Sequence, residues 1–573
     1  MTDASVAWVV VGSGQAAGEA VLVDCDADGA ELSRATVDRS ALAAAVLARE
    51  RDDRAPRWVW NDTPEWYDAL VASGVRVARC HDLRLCHAIL RDSALVRDGG
   101  ELRSHVEWDA AAPVSDAEQS RAALFDWADD AQPAGPPGDV ADALAELARQ
   151  RQAIAASADP GRLRLLCSAE SAGALIAVEM RHAGLPWRVL LDTLGARPAA
   201  GGQPARIAEL AAQVREALGD PHARLDSQPR LLRSLHRVGL AVESTSRWEL
   251  RRHEHPAIPP LIEYKKLTRL MSANGWTWLS EWVRDGRFRP VYVPAGVVTG
   301  RWASSGGGAL QIPRGLRTAV RADPGWMLVV ADVAQLEPRV LAAMSRDLRL
   351  AEAARGQDLY QGIVDTGTIP SRAHAKVAML GAMYGATTGD SGRLLPALRR
   401  TYPRAMALVD EAAQVGVDGG VVSTWLGRTS PPPSERWRAT QARASDAEAS
   451  PGEVDRARRW AGDWGRFTRN FVVQGTAAEW ALVWLADLRA RLAALPQVDE
   501  RQGAPASGPL FSRRPHLAFF LHDELIVHTP ASQADAVADA VRAAAAAAGR
   551  MLFGGFPVDF PLDLRIARSA EKA

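Results

Sequence analysis

Short unbroken apolar runs, each closed by polar punctuation, mark the strands of this chain. Ala7-Trp-Val-Val-Val11 and Ala20-Val-Leu-Val23 predict a hairpin across Gly12–Gly18, and Arg57-Trp-Val-Trp60 predicts a further strand. Helical periodicity over 40–50 and 139–157 surrounds them, so residues 1–195 read as a mixed α/β unit. Asp130–Asp139, with Pro133, Pro136 and Pro137, reads as a loop, and the Gly/Pro/Ala stretch Pro198–Pro204 as a linker. That linker sets the expected domains at 1–197 and 205–573. Residues 205–290 read as mostly helical, and 429–451, rich in Pro, Ser, Ala and charge, as a mobile surface insertion.

Two apolar runs in the second half end in acid. Trp326-Met-Leu-Val-Val-Ala-Asp332 predicts a buried strand, with a helix beginning near Leu336; Pro338 is tolerated in its first turn, where no N–H partner is needed. In Leu517-Ala-Phe-Phe-Leu-His-Asp-Glu-Leu-Ile-Val-His528, the residues His522, Asp523 and Glu524 interrupt a buried run where a bend between two strands would expose them. A strand-end Asp alone is usually a helix cap or a turn residue. Two such acids from separate strands could hold two hard divalent cations about 4 Å apart. Magnesium prefers one or two carboxylates plus substrate phosphates, which suits a nucleoside triphosphate.

Between these strands, Arg372, Lys376, Leu380 and Tyr384 stand four residues apart and so share one helical face. Two cations followed by an aromatic make a ladder for a triphosphate and its base; an ordinary amphipathic helix with a solvated basic end is the plainer alternative. Composition weighs against the plainer one. Only four of the 68 basic residues are Lys (265, 266, 376 and 572), so a Lys at 376 points to a site that wants a compact charge. The net charge of −1 does not advertise nucleic-acid binding, but phosphate contact needs only local cations, as at Arg456, Arg458, Arg459, Arg466 and Arg469. No stretch reads as a signal peptide or membrane span, and Cys25, Cys80, Cys86 and Cys167 lack metal-ligand spacing, which fits reduced cytosolic thiols.

Six ordered segments resemble the bacterial DNA polymerase I family (family A). Its first acidic motif, Asp-Tyr-Ser-Gln-Ile-Glu-Leu-Arg, is matched by Asp332-Val-Ala-Gln335-Leu-Glu337-Pro-Arg339. The fingers motif is matched over Arg372–Gly385 with Leu380 in place of Phe, and the His-Asp-Glu motif is intact at 522–524. Thr299-Gly-Arg301-Trp-Ala-Ser-Ser with Leu310-Gln-Ile-Pro-Arg314, Trp425-Leu-Gly-Arg428, and Arg466-x-x-x-Asn470-x-x-x-Gln474-Gly-Thr-Ala-Ala-Glu479 complete the set. The resemblance covers roughly 200–573 and implies an α+β multidomain chain. A ribonuclease-H-like N-terminal domain would precede a right-hand polymerase, with the thumb at about 205–290 and palm and fingers at about 291–573.

The same resemblance implies the site. Asp332 and Asp523 hold two Mg²⁺ ions (Mn²⁺ as substitute), with Glu524 beside them and Lys376 able to assist the leaving group. Arg372, Lys376, Leu380, Tyr384, Gln335, Glu337 and Tyr360 take the deoxynucleoside triphosphate, Glu337 as the steric gate against ribose. Arg301, Arg466, Asn470, Gln474 and His522 contact primer-template DNA, where the minor groove is nearly sequence-independent. A cytosolic monomer without membrane attachment is expected. Val333, Ala334, Leu380 and Tyr360 depart from the family pattern and are expected to alter rate or selectivity without removing a metal ligand.

The N-terminal domain sits where the family carries a 3′–5′ exonuclease needing four carboxylates. Its first strand has no acid, Asn61–Glu65 matches the second motif loosely, and Cys167–Ala172 falls where the last acid is expected, without Tyr or Asp. An exonuclease-like domain without activity is the expectation, and no 5′-nuclease domain is expected. The competing readings are a non-catalytic DNA-binding scaffold, a bifunctional enzyme that keeps exonuclease activity, and a single-chain RNA polymerase.

Overall fold

The computed structural model describes residues 5–51, 55–109, 135–188, 204–306, 312, 314–356, 358–385 and 389–571. It divides into two compact units. One comprises Met1–Gly184, Pro290–Leu310 and Ala322–Arg568; the other comprises Leu185–Arg289, Gln311–Arg321 and Ser569–Ala573. The N-terminal domain falls in the same unit as the palm and fingers. The helix Pro160–Ala183 packs on Pro451–Ala494 and on the strand His516–Leu521. Of the expected linker Pro198–Pro204, all but Pro204 lies outside the described residues.

The N-terminal sheet has five strands: β1 (Trp8–Ser13), β2 (Glu19–Cys25), β3 (Glu31–Asp38), β4 (Arg57–Trp60) and β5 (Arg79–Asp82), in the order β3-β2-β1-β4-β5. The first three are antiparallel, and β4 and β5 join β1 in parallel, which is the ribonuclease-H-like arrangement. Both faces of β1 are covered, which explains its unbroken apolar run. Val9 and Val11 meet Trp58, Trp60, Trp66 and Tyr67, while Val10 meets Val59, Val140 and Leu147. Sequence pattern missed β3 and β5. The first is a mostly exposed edge strand with charged side chains, and the second is four residues ending in a helix-capping Asp.

The second sheet is fully antiparallel. Trp326–Val333 lies between Glu524–Pro530 and Leu562–Ala567, with His516–Leu521 outside Glu524–Pro530. The helix Ala534–Phe553 packs on this sheet and against the 44-residue helix Pro451–Ala494. A capping box from Ser450 and Glu453 starts that long helix. The segment read as a mobile insertion instead holds a helix, Glu435–Ala444, capped by Ser434. It packs on the long helix, with Trp437 and Gln441 donating to the Trp460 and Ala457 carbonyls at 3.2 and 2.9 Å. Its polar composition reflects one solvated face. In the second unit, Ala205–Ala217, Gln228–Arg237 and Ile258–Asn274 share a core of Ile207, Leu210, Leu231, Leu235 and Leu261.

Candidate active site

The palm sheet aligns its acids by register. Asp332 stands opposite Glu524 on one neighbouring strand and Asp563 on the other, so the three share one face. Glu524 is buried inside its strand rather than exposed at the bend, correcting the expectation for that residue. The bend is His522–Asp523. His522 adopts a left-handed backbone (φ 54°), and the Asp523 carbonyl accepts from Val333 N–H at 2.9 Å, tying the hairpin tip to the end of the Asp332 strand. Burial, then the neighbouring Asp332 carboxylate, push Asp523 up to about 6. A divalent cation would relieve that repulsion. Among the described residues no group of three or more His, Cys, Asp or Glu could hold a metal ion. The remaining ligands would have to come from backbone, solvent or substrate, which fits magnesium rather than a closed protein cage.

Arg339 fixes the segment between Asp332 and its helix. Its fully buried guanidinium donates to the carbonyls of Ala334, Asp559 and Gly356 at 2.8, 3.0 and 3.0 Å, and to Gln335 Oε1 at 3.3 Å. Burial lowers this Arg to about 10. Gln335 is itself left-handed (φ 49°) and accepts from the Leu359 N–H, so it serves the backbone as well as the cavity.

A cavity of about 230 Å³ opens between the palm and fingers, lined by Gln335, Glu337, Tyr360, Leu380, Tyr384 and Asp523. Glu337 is held from two sides: Arg301 pairs with one carboxylate oxygen, and the Tyr384 hydroxyl donates to the other. Tyr360 is buried beneath the Arg372 guanidinium, 5.8 Å from its ring centre, and burial followed by the Glu337 charge pushes its phenol up to about 12. Arg372 also pairs with Asp358 at 2.5 Å. Along Arg372–Tyr384 the opposite face, Ala375, Ala378, Met379, Ala382 and Met383, is buried. The ladder residues Arg372, Lys376 and Tyr384 are exposed, and Leu380 is half-buried. Lys376 has no ion-pair partner among the described residues.

On the long helix, Gln474 accepts from the Thr299 hydroxyl at 3.0 Å, and Asn470 Oδ1 is buried without a partner. Arg466 is exposed and pairs with Asp463 one turn earlier. Arg469 corrects the expectation of a cation facing a phosphate backbone: it is buried, pairs with Asp410 and donates to the Ala382 carbonyl at 2.9 Å, joining the long helix to the fingers. Sequence reasoning passed over Asp563. Its signal was the alternation of Leu562-Asp-Leu564, which reads as a half-solvated strand.

In the N-terminal domain no side chain can stand at position 12, since a Cβ on Gly12 would lie 2.5 Å from the Val140 backbone. Glu65 accepts from Asn61 at 2.8 Å and pairs with Arg39 at 3.6 Å, while Arg39 donates to Ser13 at 3.0 Å. The chain that faces this crevice is Pro136–Asp139, through the Gly138 carbonyl to Ser13 N–H at 2.7 Å. Cys167–Ala172 lies elsewhere, on the helix Pro160–Ala183, which corrects its alignment as the last acidic motif. Helical periodicity shows that a segment is helical but not which helix meets the sheet edge.

Residues 205–570 match the family model described as DNA polymerase family A. The chain belongs to DNA polymerase family A. It is 25% identical over 403 residues to the thermostable DNA polymerase I of Thermus aquaticus, covering 63% of this chain and 43% of that one. It is 27% identical over 380 residues to DNA polymerase I of Chloroflexus aurantiacus, covering 59% and 36%. The chain thus spans less than half the length of these curated relatives. In fold it is similar to the POL domain of Pol1 from M. smegmatis, solved in complex with DNA primer-template and dNTP. That match has a TM-score of 0.62 and 19% identity and covers 99% of this chain and 96% of that one. No helix among the described residues is long and apolar enough to cross a membrane.

Proposed function

We propose that this family A member is a template-directed DNA polymerase that adds deoxynucleotides to a primer 3′-hydroxyl. The observation that carries the reading is Asp523, half-buried at a hairpin tip tied to the end of the Asp332 strand, at the mouth of a cavity walled by the fingers helix. Asp332 and Asp523 are the residues that would hold Mg²⁺, or Mn²⁺ in its place. When bound, such ions activate the primer hydroxyl and stabilise the departing pyrophosphate. Arg372 and Lys376 bind the triphosphate, Arg372 by forked hydrogen bonds and Lys376 as a point charge able to donate a proton. Tyr384 and Leu380 wall the base side. Glu337, immobilised by Arg301 and Tyr384, closes the space beside the sugar 2′ carbon. Arg301, Arg466, Asn470, Gln474 and His522 bind primer-template, with the protein acting as a cytosolic monomer.

Primer extension with deoxy- and ribonucleotides in parallel tests this. Extension should require template, Mg²⁺ and deoxynucleotides. Asp332→Ala should abolish it while leaving duplex binding largely intact. Wild-type turnover in that variant would overturn the metal assignment, and binding without any extension by the wild type would favour the scaffold reading. For the N-terminal domain we propose a ribonuclease-H-like fold without exonuclease activity. The acid-free β1 and the pairing of Glu65 with Arg39 support it.

A further inference from the structure

The turn after the fingers, Thr424–Thr429, is gripped from two sides. On one side, Trp425 N–H donates to Thr476 Oγ1 and Leu426 N–H to Glu479 Oε2, both at 2.9 Å, and the Thr424 hydroxyl donates to Glu479. These bonds anchor the turn to the helix that carries Gln474. On the other side the N-terminal domain supplies the contacts. Ser93 donates to the Gly427 carbonyl at 2.7 Å, Ala94 N–H donates to Thr429 at 2.9 Å, and the Arg162 guanidinium lies 4.4 Å over the Trp425 ring. At the centre, Arg428 pairs with Glu170, a wholly buried carboxylate on the N-terminal helix Pro160–Ala183.

Arg428 also lies directly against the loop that carries Arg301. Gly300 has φ +85°, and a Cβ there would come within 2.6 Å of Arg428 Nε. Thr299, its neighbour, donates to Gln474 at 3.0 Å. One guanidinium thus sits among the N-terminal helix, the Thr299–Arg301 loop and the turn bound to the long helix. Removing either partner of a buried ion pair leaves an uncompensated charge, which is far more disruptive than loss of a surface pair. The elements that would shift are those proposed to touch the duplex, where displacements of about 1 Å matter.

We infer that Glu170 is a positioning residue for primer-template binding: through Arg428 it fixes the Arg301 loop relative to Gln474, so that the N-terminal domain braces the polymerase half. This rests on the reading of Arg301 and Gln474 as duplex contacts. The acid lies in a segment that sequence alignment offered to the exonuclease; the geometry assigns it to the polymerase.

The test uses the full chain with Glu170→Gln, Glu170→Ala, Arg428→Ala and the double variant Glu170→Ala/Arg428→Ala. Duplex affinity is read by anisotropy of a labelled primer-template, nucleotide KM and single-turnover rate at saturating duplex, and folding by thermal melting. Glu170→Ala should weaken duplex binding about ten-fold with nucleotide KM within about two-fold, and Glu170→Gln about three-fold. The double variant should bind no more weakly than Arg428→Ala, because the two residues act as one unit. Unchanged duplex affinity in Glu170→Gln, which keeps the shape and covers a failure of Glu170→Ala to fold, would overturn the inference. So would additive losses in the double variant, or nucleotide KM rising in step with duplex Kd. A wild type that does not extend primers would overturn the polymerase reading itself; extension by the wild type with indifferent Glu170 variants would overturn only the brace.

Discussion

Carboxylates in the two halves of the larger unit differ in the cations that meet them. In the N-terminal domain several end at arginines: Asp24 at Arg49, Asp62 at Arg84, Glu65 at Arg39, Glu170 at Arg428, and Glu179 at Arg76 and Arg489, although burial and the neighbouring Asp82 still push Asp62 up to about 6. Burial pushes Glu179 up, but the Arg489 and Arg76 charges win and hold it below the usual carboxylate range. In the palm, Asp523 has no ion-pair partner among the described residues, and burial together with Asp332 pushes it up to about 6. An acid neutralised by guanidinium has little left to offer a metal, whereas two crowded acids gain from one. The same residue type thus builds structure in one half and a candidate catalytic centre in the other.

The largest expected effect tests that contrast directly. Asp523→Ala should lower primer extension at least about a thousand-fold, since it removes a metal ligand from the transition state. The N-terminal half should give no excision of a mispaired primer terminus with Mg²⁺ or Mn²⁺ in the absence of nucleotides. Steady excision by purified protein that survives Asp523→Ala would show a working metal site among the arginine-paired acids.

Next in size is the structural side. Arg489→Ala removes the guanidinium beside the buried Tyr67 hydroxyl, the nearer of the two that meet Glu179, and leaves Arg76. It should cost about 3–5 kcal/mol of stability, read from denaturant midpoints. A loss below about 1 kcal/mol would mean that this buried pair is incidental.

Glu479 offers a finer probe, because burial pushes it up to about 7 although Thr424 and Leu426 donate to it. With its folded value above the unfolded 4.5, the native state binds the extra proton, so its contribution is full below about 4.5 and lost as pH rises toward 7. Glu479→Gln should flatten this part of the stability–pH curve by about 1–3 kcal/mol. Parallel wild-type and mutant curves across pH 5–7 would contradict it.

The smallest effect expected is on sugar choice. Glu337→Ala should raise ribonucleotide over deoxynucleotide incorporation about ten-fold, or about 1.4 kcal/mol. An unchanged ratio in competitive single-nucleotide incorporation would move the gate to Tyr384.

Much of this molecule was legible without coordinates, and the boundary has a physical origin. The apolar runs at 8–13, 20–25, 57–60 and 326–333, the helix face of Arg372, Lys376, Leu380 and Tyr384, and the acid at the 522–523 bend all follow from local periodicity. What sequence misjudged was polar and non-local. The edge strand β3 carries charge because its side is solvated, Glu435–Ala444 reads as loop because only one face packs, and Arg469 reads as a phosphate contact until the fingers close over it.

By itself, then, the sequence determined the order of elements, the family and the two strand-end acids, since strand and helix periods and ordered motifs are written within short windows. Tertiary structure alone decided which carboxylates are neutralised. Glu170 and Arg428 are 258 residues apart, and Glu179 and Arg489 are 310 apart. No local pattern links them; only packing of the Pro160–Ala183 helix against the polymerase half brings each charge into a place where water cannot screen it and its partner must.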